Sequence, residues 1–382
     1  MFLLDSLGAG GAERSTAVLL PHLAARGIEV SVVTLYTAIE GSETEVRDAG
    51  ITVRVLGPGS YWRSIKALRA ILRTERPDVL HTALYAADQI GRLAAAGLST
   101  KVISSFVSVP RTKGQVPPGS SAWKIAIVNV IDAITGHLFV DQFHAVTAGV
   151  ARSYACAYRI KPAKVTVVER GRDHGAFGER SAERRERVLG TLGLGVDTPV
   201  IVAAGRQEHL KAHDDLVRAM ELLLKRHPDA VLLIAGREGN ASQALQNQIA
   251  ATPSVAGNVR VLGYRTDVLD LLAAADVMAL ASRYEGTAGI ALEAMALGTP
   301  IVSTRLDGME GILVDEVNSL LVDIGDVAAM AAAIDRLIAD SELGAQLAQA
   351  SRQVFLERFT LDRSADLSVA LYTDVISRRG GR

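Results

Sequence analysis

The sequence predicts an α/β protein built from two doubly wound parallel-sheet domains. Three observations lead there. The chain has 382 residues, enough for about two domains. Short runs of apolar β-formers alternate with helical stretches along it. That alternation stops at a polar, Arg/Glu-rich segment, "RDHGAFGERSAERRERV" (172–188), and then starts again.

In the first half the predicted strands are "FLLDS", "VSVVTLY", "ITVRVL", "DVLHT", "KVISSFV", "QFHAV" and "KVTVVE". Helices are expected between them, among others over Ala12–Arg26, Trp62–Arg73 and Ala122–Thr135. Strands buried on both faces read as continuous apolar runs, as these do. The Arg/Glu-rich segment reads as a connection. The second set of strands is "PVIVAAG", "AVLLIAG", "NVRVLG", "DVMALAS", "PIVST" and "NSLLVD", and 327–377 reads as helical throughout. The expected boundaries are 1–173 for the first domain and 174–358 for the second. Residues 359–382 are expected to form a helix that crosses back to the first. Ligands of such sheets bind beyond the carboxyl ends of the strands, so a cleft between two such domains is expected.

Composition excludes several classes. Hydrophobic residues make up 49% of the chain, which supports two cores and argues against extended disorder. The single cysteine, Cys156, has no partner for an internal disulfide, and a cytoplasmic, reducing compartment is expected. There is no cysteine cluster for zinc, and the acidic start "MFLLDSLGAGGAERS" lacks the basic leader of a secretory signal. The most apolar run, "IAIVNVIDAITGHLFV", is interrupted by Asn129, Asp132 and His137. Net charge is −1, but residues 1–172 carry 20 Lys+Arg against 13 Asp+Glu. The basic half favours anionic partners. No basic run is interleaved with stacking aromatics, so nucleic acid is not an expected partner.

Three stretches carry chemistry. In "EGTAGIALEAMALG", Gly286 and Gly289 disfavour a continuous helix from Glu285, while "IALEAMAL" is helical by propensity. Glu285 is therefore expected in the turn before a helix and Glu293 one to two turns inside it. The backbone N–H groups of Thr287, Ala288 and Gly289 would form an anion site at the helix start. Anion donors flanked by carboxylates suit a ligand with phosphate and hydroxyls, such as a sugar nucleotide. An exposed helix start with capping acids would use the same residues. In "VIVAAGRQEHLKAHDDL", Arg206 and Lys211 follow a strand end, where two cations can neutralise a diphosphate leaving group. A lone Arg or Lys is more often solvated; the strand-end position favours binding. In "LGAGGAERS", strand, glycines and helix make an approach loop for phosphate or substrate. It is not a dinucleotide fingerprint, because Glu13 stands where the third glycine is required. No P-loop motif appears.

With these residues in view, the chain resembles the family-four retaining glycosyltransferases of GT-B fold, the glycogen-synthase-like group. The two glutamates separated by seven residues in "EGTAGIALEAMALGTPIV", and the basic pair in "AGRQEHLKAH", are the most specific part. "GAGGAER", "DVLHTALYAADQIGRLAA", "NVRVLGYRTDV" and "GMEGILVDEVNSLLV" also match in order and spacing. The resemblance implies sugar transfer from a nucleoside-diphosphate sugar to a glycan or lipid-linked acceptor, with retention and without a metal or other cofactor. It implies that Glu285 bonds donor-sugar hydroxyls and Glu293 the ribose. Arg206 and Lys211 would take the diphosphate, and Thr287, Ala288 and Gly289 would offer backbone donors. Gly263 and Tyr264 would lie beside the base, with Gly10 and Gly11 closing on the donor. A role in cell-envelope polysaccharide or lipopolysaccharide synthesis is the expected setting. A sugar-nucleotide epimerase or a non-catalytic sugar-nucleotide-binding subunit are the alternatives.

The sequence departs from the family pattern in places. Val107 stands where many relatives have histidine, and "ERGRD" (169–173) replaces the common "PNGVD". Ala212 and Ser319 replace common glycines. His81, Arg170 and Arg172 are therefore the acceptor-side candidates, although His81 also reads as a packing residue at a strand end. Finally, residues 61–76 place Arg63, Lys66, Arg69, Arg73 and Arg76 opposite a stripe of Ile65, Leu68 and Leu72. Such a helix would suit peripheral contact with the inner membrane face, or packing on a sheet with a solvated basic side.

Overall fold

The computed structural model describes residues 1–8, 10–38, 41–110 and 122–378. The chain divides into two compact units, Met1–Gly171 with Thr360–Arg382, and Arg172–Phe359.

The first unit holds a seven-stranded parallel sheet. Its strands are β1 (Phe2–Leu4), β2 (Ser31–Thr34), β3 (Thr52–Val55), β4 (Val79–Ala83), β5 (Lys101–Phe106), β6 (Gln142–Ala145) and β7 (Val165–Val167). They lie in the order β3-β2-β1-β4-β5-β6-β7. The helices are α1 (Gly11–Ala24), α2 (Glu43–Asp48), α3 (Tyr61–Glu75), α4 (Tyr85–Ala95), α5 (Ala122–Phe139) and α6 (Ala148–Tyr158). Helices α3 and α5 flank α4, which has eight of its 11 residues buried.

The second unit opens with α7 (Ala182–Thr191) and holds a six-stranded parallel sheet. Its strands are β8 (Val200–Ala204), β9 (Val231–Ala235), β10 (Val259–Gly263), β11 (Val277–Leu280), β12 (Ile301–Thr304) and β13 (Leu320–Val322), ordered β10-β9-β8-β11-β12-β13. Its remaining helices are α8 (His213–Leu223), α9 (Ser242–Ala251), α10 (Val268–Ala274), α11 (Gly289–Leu297), α12 (Val327–Ala339) and α13 (Ser341–Arg358). Apolar clusters fill both faces of this sheet, one including Leu292, Met295 and Phe355, the other Leu216, Met220 and Ile334. The last helix, α14 (Leu361–Ser377), belongs to the first unit and packs on α1.

One expectation is corrected here, and the packing expected as one reading of residues 61–76 is observed. The Arg/Glu-rich segment is not only a connection: 182–191 is α7, capped by the Ser181 hydroxyl. Its arginines are structural, with Arg184 on Asp270 at 2.7 Å and Arg185 on Asp276 at 3.0 Å. The apolar stripe of α3 (Ile65, Leu68, Leu72) is buried in its own unit, and Arg69 donates to the carbonyls of Ala94 and Ala96. That guanidinium satisfies carbonyls at the end of α4, which the helix itself leaves unpaired.

Candidate active site in the second unit

The strand order of the second sheet reverses direction between β8 and β11. This switch point is where doubly wound sheets bind ligands. The two most specific sequence motifs follow these two strands. The segment after β8 carries Arg206 and the short helical turn His209–Lys211, and the segment after β11 carries Glu285. The backbone stitches them together: Arg283 N donates to Leu210 O at 2.8 Å, and the Arg283 guanidinium donates to His209 O and reaches Asp214 and Asp215.

Across this junction Lys211 Nζ lies 2.5 Å from Glu285 Oε1. Ser282 Oγ donates to the same oxygen at 2.9 Å, and the Ser282 carbonyl accepts from Thr304 Oγ1 at 2.6 Å. Both partners are largely buried, with side-chain exposures of 25% for Lys211 and 12% for Glu285. Gly308 explains how the turn is held. A Cβ there would lie 2.2 Å from Glu285 O and 2.3 Å from Gly286 O, so only glycine permits this approach. Arg206 is exposed and pairs with Glu208 at 3.0 Å.

Helix α11 begins at Gly289, so Glu285 precedes it and Glu293 lies inside it. The N–H of Ala288 points at Met309 Sδ, 3.3 Å away, a weak acceptor. Thr287 is buried, and its hydroxyl has no partner among the described residues. Arg172 lies in this unit, over the helix start. Its Nε is 3.3 Å from Glu293 Oε1, and a Cβ on Gly289 would sit 2.4 Å from its Nη2. The segment carrying it is fixed by a bond from Arg172 N to Phe359 O of 2.9 Å. A guanidinium beside a helix N-terminus is electrostatically unfavourable on its own and suits an anion placed between them.

Gly263 ends β10 with φ 66°, a left-handed conformation that favours glycine, and Gly236 N donates to its carbonyl at 2.7 Å. Tyr264 follows, 60% exposed, with the Arg237 guanidinium 4.3 Å over its ring. His213, at the start of α8, is buried, and its Nδ1 has no partner among the described residues. Burial, and then the Lys211 ammonium, push its pKa down to about 4.

The remaining candidates belong to the first unit. Gly10 caps α1 and Gly11 begins it. His81, Val107 and Arg170 line a cavity of about 40 Å³ with Ser105 and His144. His81 is wholly engaged. His144 Nε2 lies 2.9 Å from Val168 O and must donate to it, which makes Nδ1 an acceptor for the Ser105 hydroxyl, also at 2.9 Å. Ser105 Oγ then accepts from His81 Nε2 at 2.7 Å, and His81 Nδ1 accepts from the Tyr372 hydroxyl at 2.9 Å. Burial holds both histidines neutral: His81 is pushed well below its usual value and His144 down to about 4. This closed chain ties α14 to the sheet and makes His81 a packing residue.

Sequence reasoning missed Ser282, Arg283, Gly308 and Met309, and the contact of Arg172 with Glu293. Ser282 and Arg283 sit directly before the first glutamate, but their partners are distant in sequence. The "GMEG" glycines gave the only hint of close backbone approach.

The chain is similar to known proteins over nearly its whole length. Residues 9–175 match the family described as Glycosyltransferase Family 4, and residues 198–340 the family described as Glycosyl transferases group 1. The D-inositol 3-phosphate glycosyltransferase of Xylanimonas cellulosilytica is 30% identical over 99% of this chain and 96% of its own. Among solved structures, Anabaena HepE in complex with UDP-glucose superposes with TM-score 0.83 at 18% identity, over 97% of this chain and 99% of that one. Sucrose-phosphate synthase from Thermosynechococcus elongatus gives TM-score 0.83 at 19% identity, over 98% of each chain. The fold is therefore GT-B, and the chain belongs to glycosyltransferase family 4.

Proposed function

We propose that this glycosyltransferase is a retaining enzyme that uses a nucleoside-diphosphate sugar, with UDP as the first candidate nucleotide, and a glycan or lipid-linked acceptor. The observation that carries the reading is the Lys211–Glu285–Ser282 cluster at the β8/β11 switch point, beside a helix start where the Thr287 hydroxyl has no partner among the described residues. The complex of HepE with UDP-glucose and the transferase activity in the name of the Xylanimonas relative support it.

In this reading Glu285 accepts hydrogen bonds from donor-sugar hydroxyls. Lys211 has three N–H donors, so its ammonium can hold Glu285 and a diphosphate oxygen together. Arg206 adds a second cation from solvent, and Thr287 to Gly289 meet the phosphate from the helix side. Glu293 takes the ribose, and Gly263 and Tyr264 the base. The bond from the anomeric carbon to the diphosphate breaks as the acceptor oxygen bonds the same face. The acceptor proton passes to the departing phosphate oxygen. Charge that develops on the diphosphate is met by Arg206 and Lys211, which is why no metal is invoked.

A thermal-shift panel of UDP, GDP and ADP sugars tests the donor, because a ligand of the folded state raises the midpoint with the logarithm of saturation. A selective shift with UDP sugars, followed by anomeric retention in the product, is the expected result. No shift with any nucleotide sugar would overturn the proposal. Binding with neither transfer nor hydrolysis across an acceptor panel would point to a non-catalytic subunit.

A further inference from the structure

Helix α5 is inverted. Its only acid, Asp132, is buried and takes bonds from Arg92 at 2.6 Å and Gln89 at 3.0 Å. Thr135, on the same side, bonds Gln89 and Arg92, and Gly136 packs on Phe143. The polar side of the helix therefore faces the protein. The outward side carries Trp123 (62% exposed), Ile127, Val130, Ile131, Ile134 and Leu138 (62%). These positions follow helical spacing, so they form one continuous apolar stripe. A stripe of this size is not the scatter of single apolar residues expected on a solvated surface.

Two further features surround it. The chain has two tryptophans, Trp62 and Trp123, and both are largely exposed at the first turn of α3 and of α5. In a parallel βαβ layer, helix N-termini lie toward the carboxyl ends of the strands, so both indoles fall at the ligand-binding end of the sheet. At this end α3 exposes Arg63 and Lys66, its last turn exposes Arg73 and Glu75 with Arg76 just beyond, and Lys124 is exposed next to Trp123. α5 exposes no acid.

We propose that the α3–α5 face of the first unit docks on an anionic lipid surface, with the α5 stripe in the interfacial layer and the α3 cations over the headgroups. Tryptophan is favoured at that boundary, and basic residues are drawn to anionic lipid. Charge selects this occupant over a second copy of the chain, since two such faces would oppose like charges. Among the described residues no helix is long and apolar enough to cross a membrane, so the contact lies on the surface. The inference is independent of the donor site.

The test is co-sedimentation of the full chain with vesicles of phosphatidylcholine alone or mixed equally with phosphatidylglycerol. Binding is expected to the anionic vesicles, falling with salt, with tryptophan emission shifting to shorter wavelength and quenched by brominated lipid. Replacing Ile127, Ile131 and Ile134 by serine should weaken partition by about 100-fold. Lys66→Glu with Arg73→Glu should weaken it by about 10-fold. Wild-type protein that stays in the supernatant, or tryptophans that brominated lipid does not quench, would overturn the proposal. So would a wild-type dimer that the triple-serine variant converts to a monomer, which would assign the face to a second copy. The wild-type quenching result stands even if the triple variant fails to fold.

Discussion

Two buried polar clusters, one in each unit, differ in one respect. In the first, Tyr372, His81, Ser105, His144 and the Val168 carbonyl form a chain in which each donor has an acceptor. In the second, the residues around the β8/β11 switch point are paired but incomplete: Thr287 Oγ1, His213 Nδ1 and Gln207 Oε1 have no partner among the described residues. A buried polar group left unpaired costs about 1–3 kcal/mol, so it persists where something else repays the cost. The contrast separates scaffold from site. Thr34 Oγ1 in the first unit and Ser351 Oγ on α13 are also without a partner among the described residues, so what singles out the switch point is that three such atoms gather there beside Lys211, Glu285 and a helix start.

The sharpest way to break this comparison is to exchange its two sides. Glu285→Ala and Lys211→Ala are each expected to cut transfer by about 100-fold or more while the protein stays folded. Steady-state kinetics beside circular dichroism would check this, and unchanged turnover in both variants would sink the assignment. Ser105→Ala, in contrast, leaves both histidines short of a partner. It is expected to lower unfolding free energy by about 2–4 kcal/mol in urea titrations and to leave donor KM alone.

Smaller effects sharpen the contrast. Arg172→Ala should raise donor KM by about 10-fold, with little change in the thermal midpoint, because one charge-assisted contact is lost. If kcat and KM both stay at wild-type values, Arg172 serves only to cap Glu293. The pH profile of stability gives the last test. The folded-state pKa values of His81, His144 and His213 lie below the unfolded value, so the unfolded chain binds more protons as pH falls. Their contribution is present above about pH 6.5 and is lost on acidification. For His144 and His213 the loss runs down to about pH 4. Asp88 acts oppositely: burial raises it to about 6, so its contribution falls as pH rises from 3.8 toward that value. His144→Gln should therefore flatten the acid limb of the midpoint-against-pH curve relative to wild type. An unaltered limb would show that His144 does not carry it.

The strands were legible because each is a short apolar run ended by glycine or a polar residue, as in "PVIVAAG" and "DVMALAS". Glu285 and Lys211 were legible because strand end, glycine and charge fall together at each. Their direct contact was not, since it depends on β8 and β11 being neighbours, which only the sheet order reveals. The contact of Arg172 was hidden for a similar reason: its sequence neighbourhood reads as a connection, while its partners lie at residues 289 and 293. The inverted face of α5 was hidden because periodicity locates an apolar stripe without saying which side faces the core. Asp132 gave the only cue, and it needed Arg92 on a neighbouring helix to become readable.

The central claim is that the donor binds at the β8/β11 switch point of the second unit. Isothermal titration of UDP into the full-length wild type, Lys211→Ala and His81→Gln tests it most directly. The account predicts one site, affinity weakened by about 10-fold or more in Lys211→Ala, and wild-type affinity in folded His81→Gln. Wild-type affinity in Lys211→Ala, or loss of UDP binding in His81→Gln alone, would contradict it.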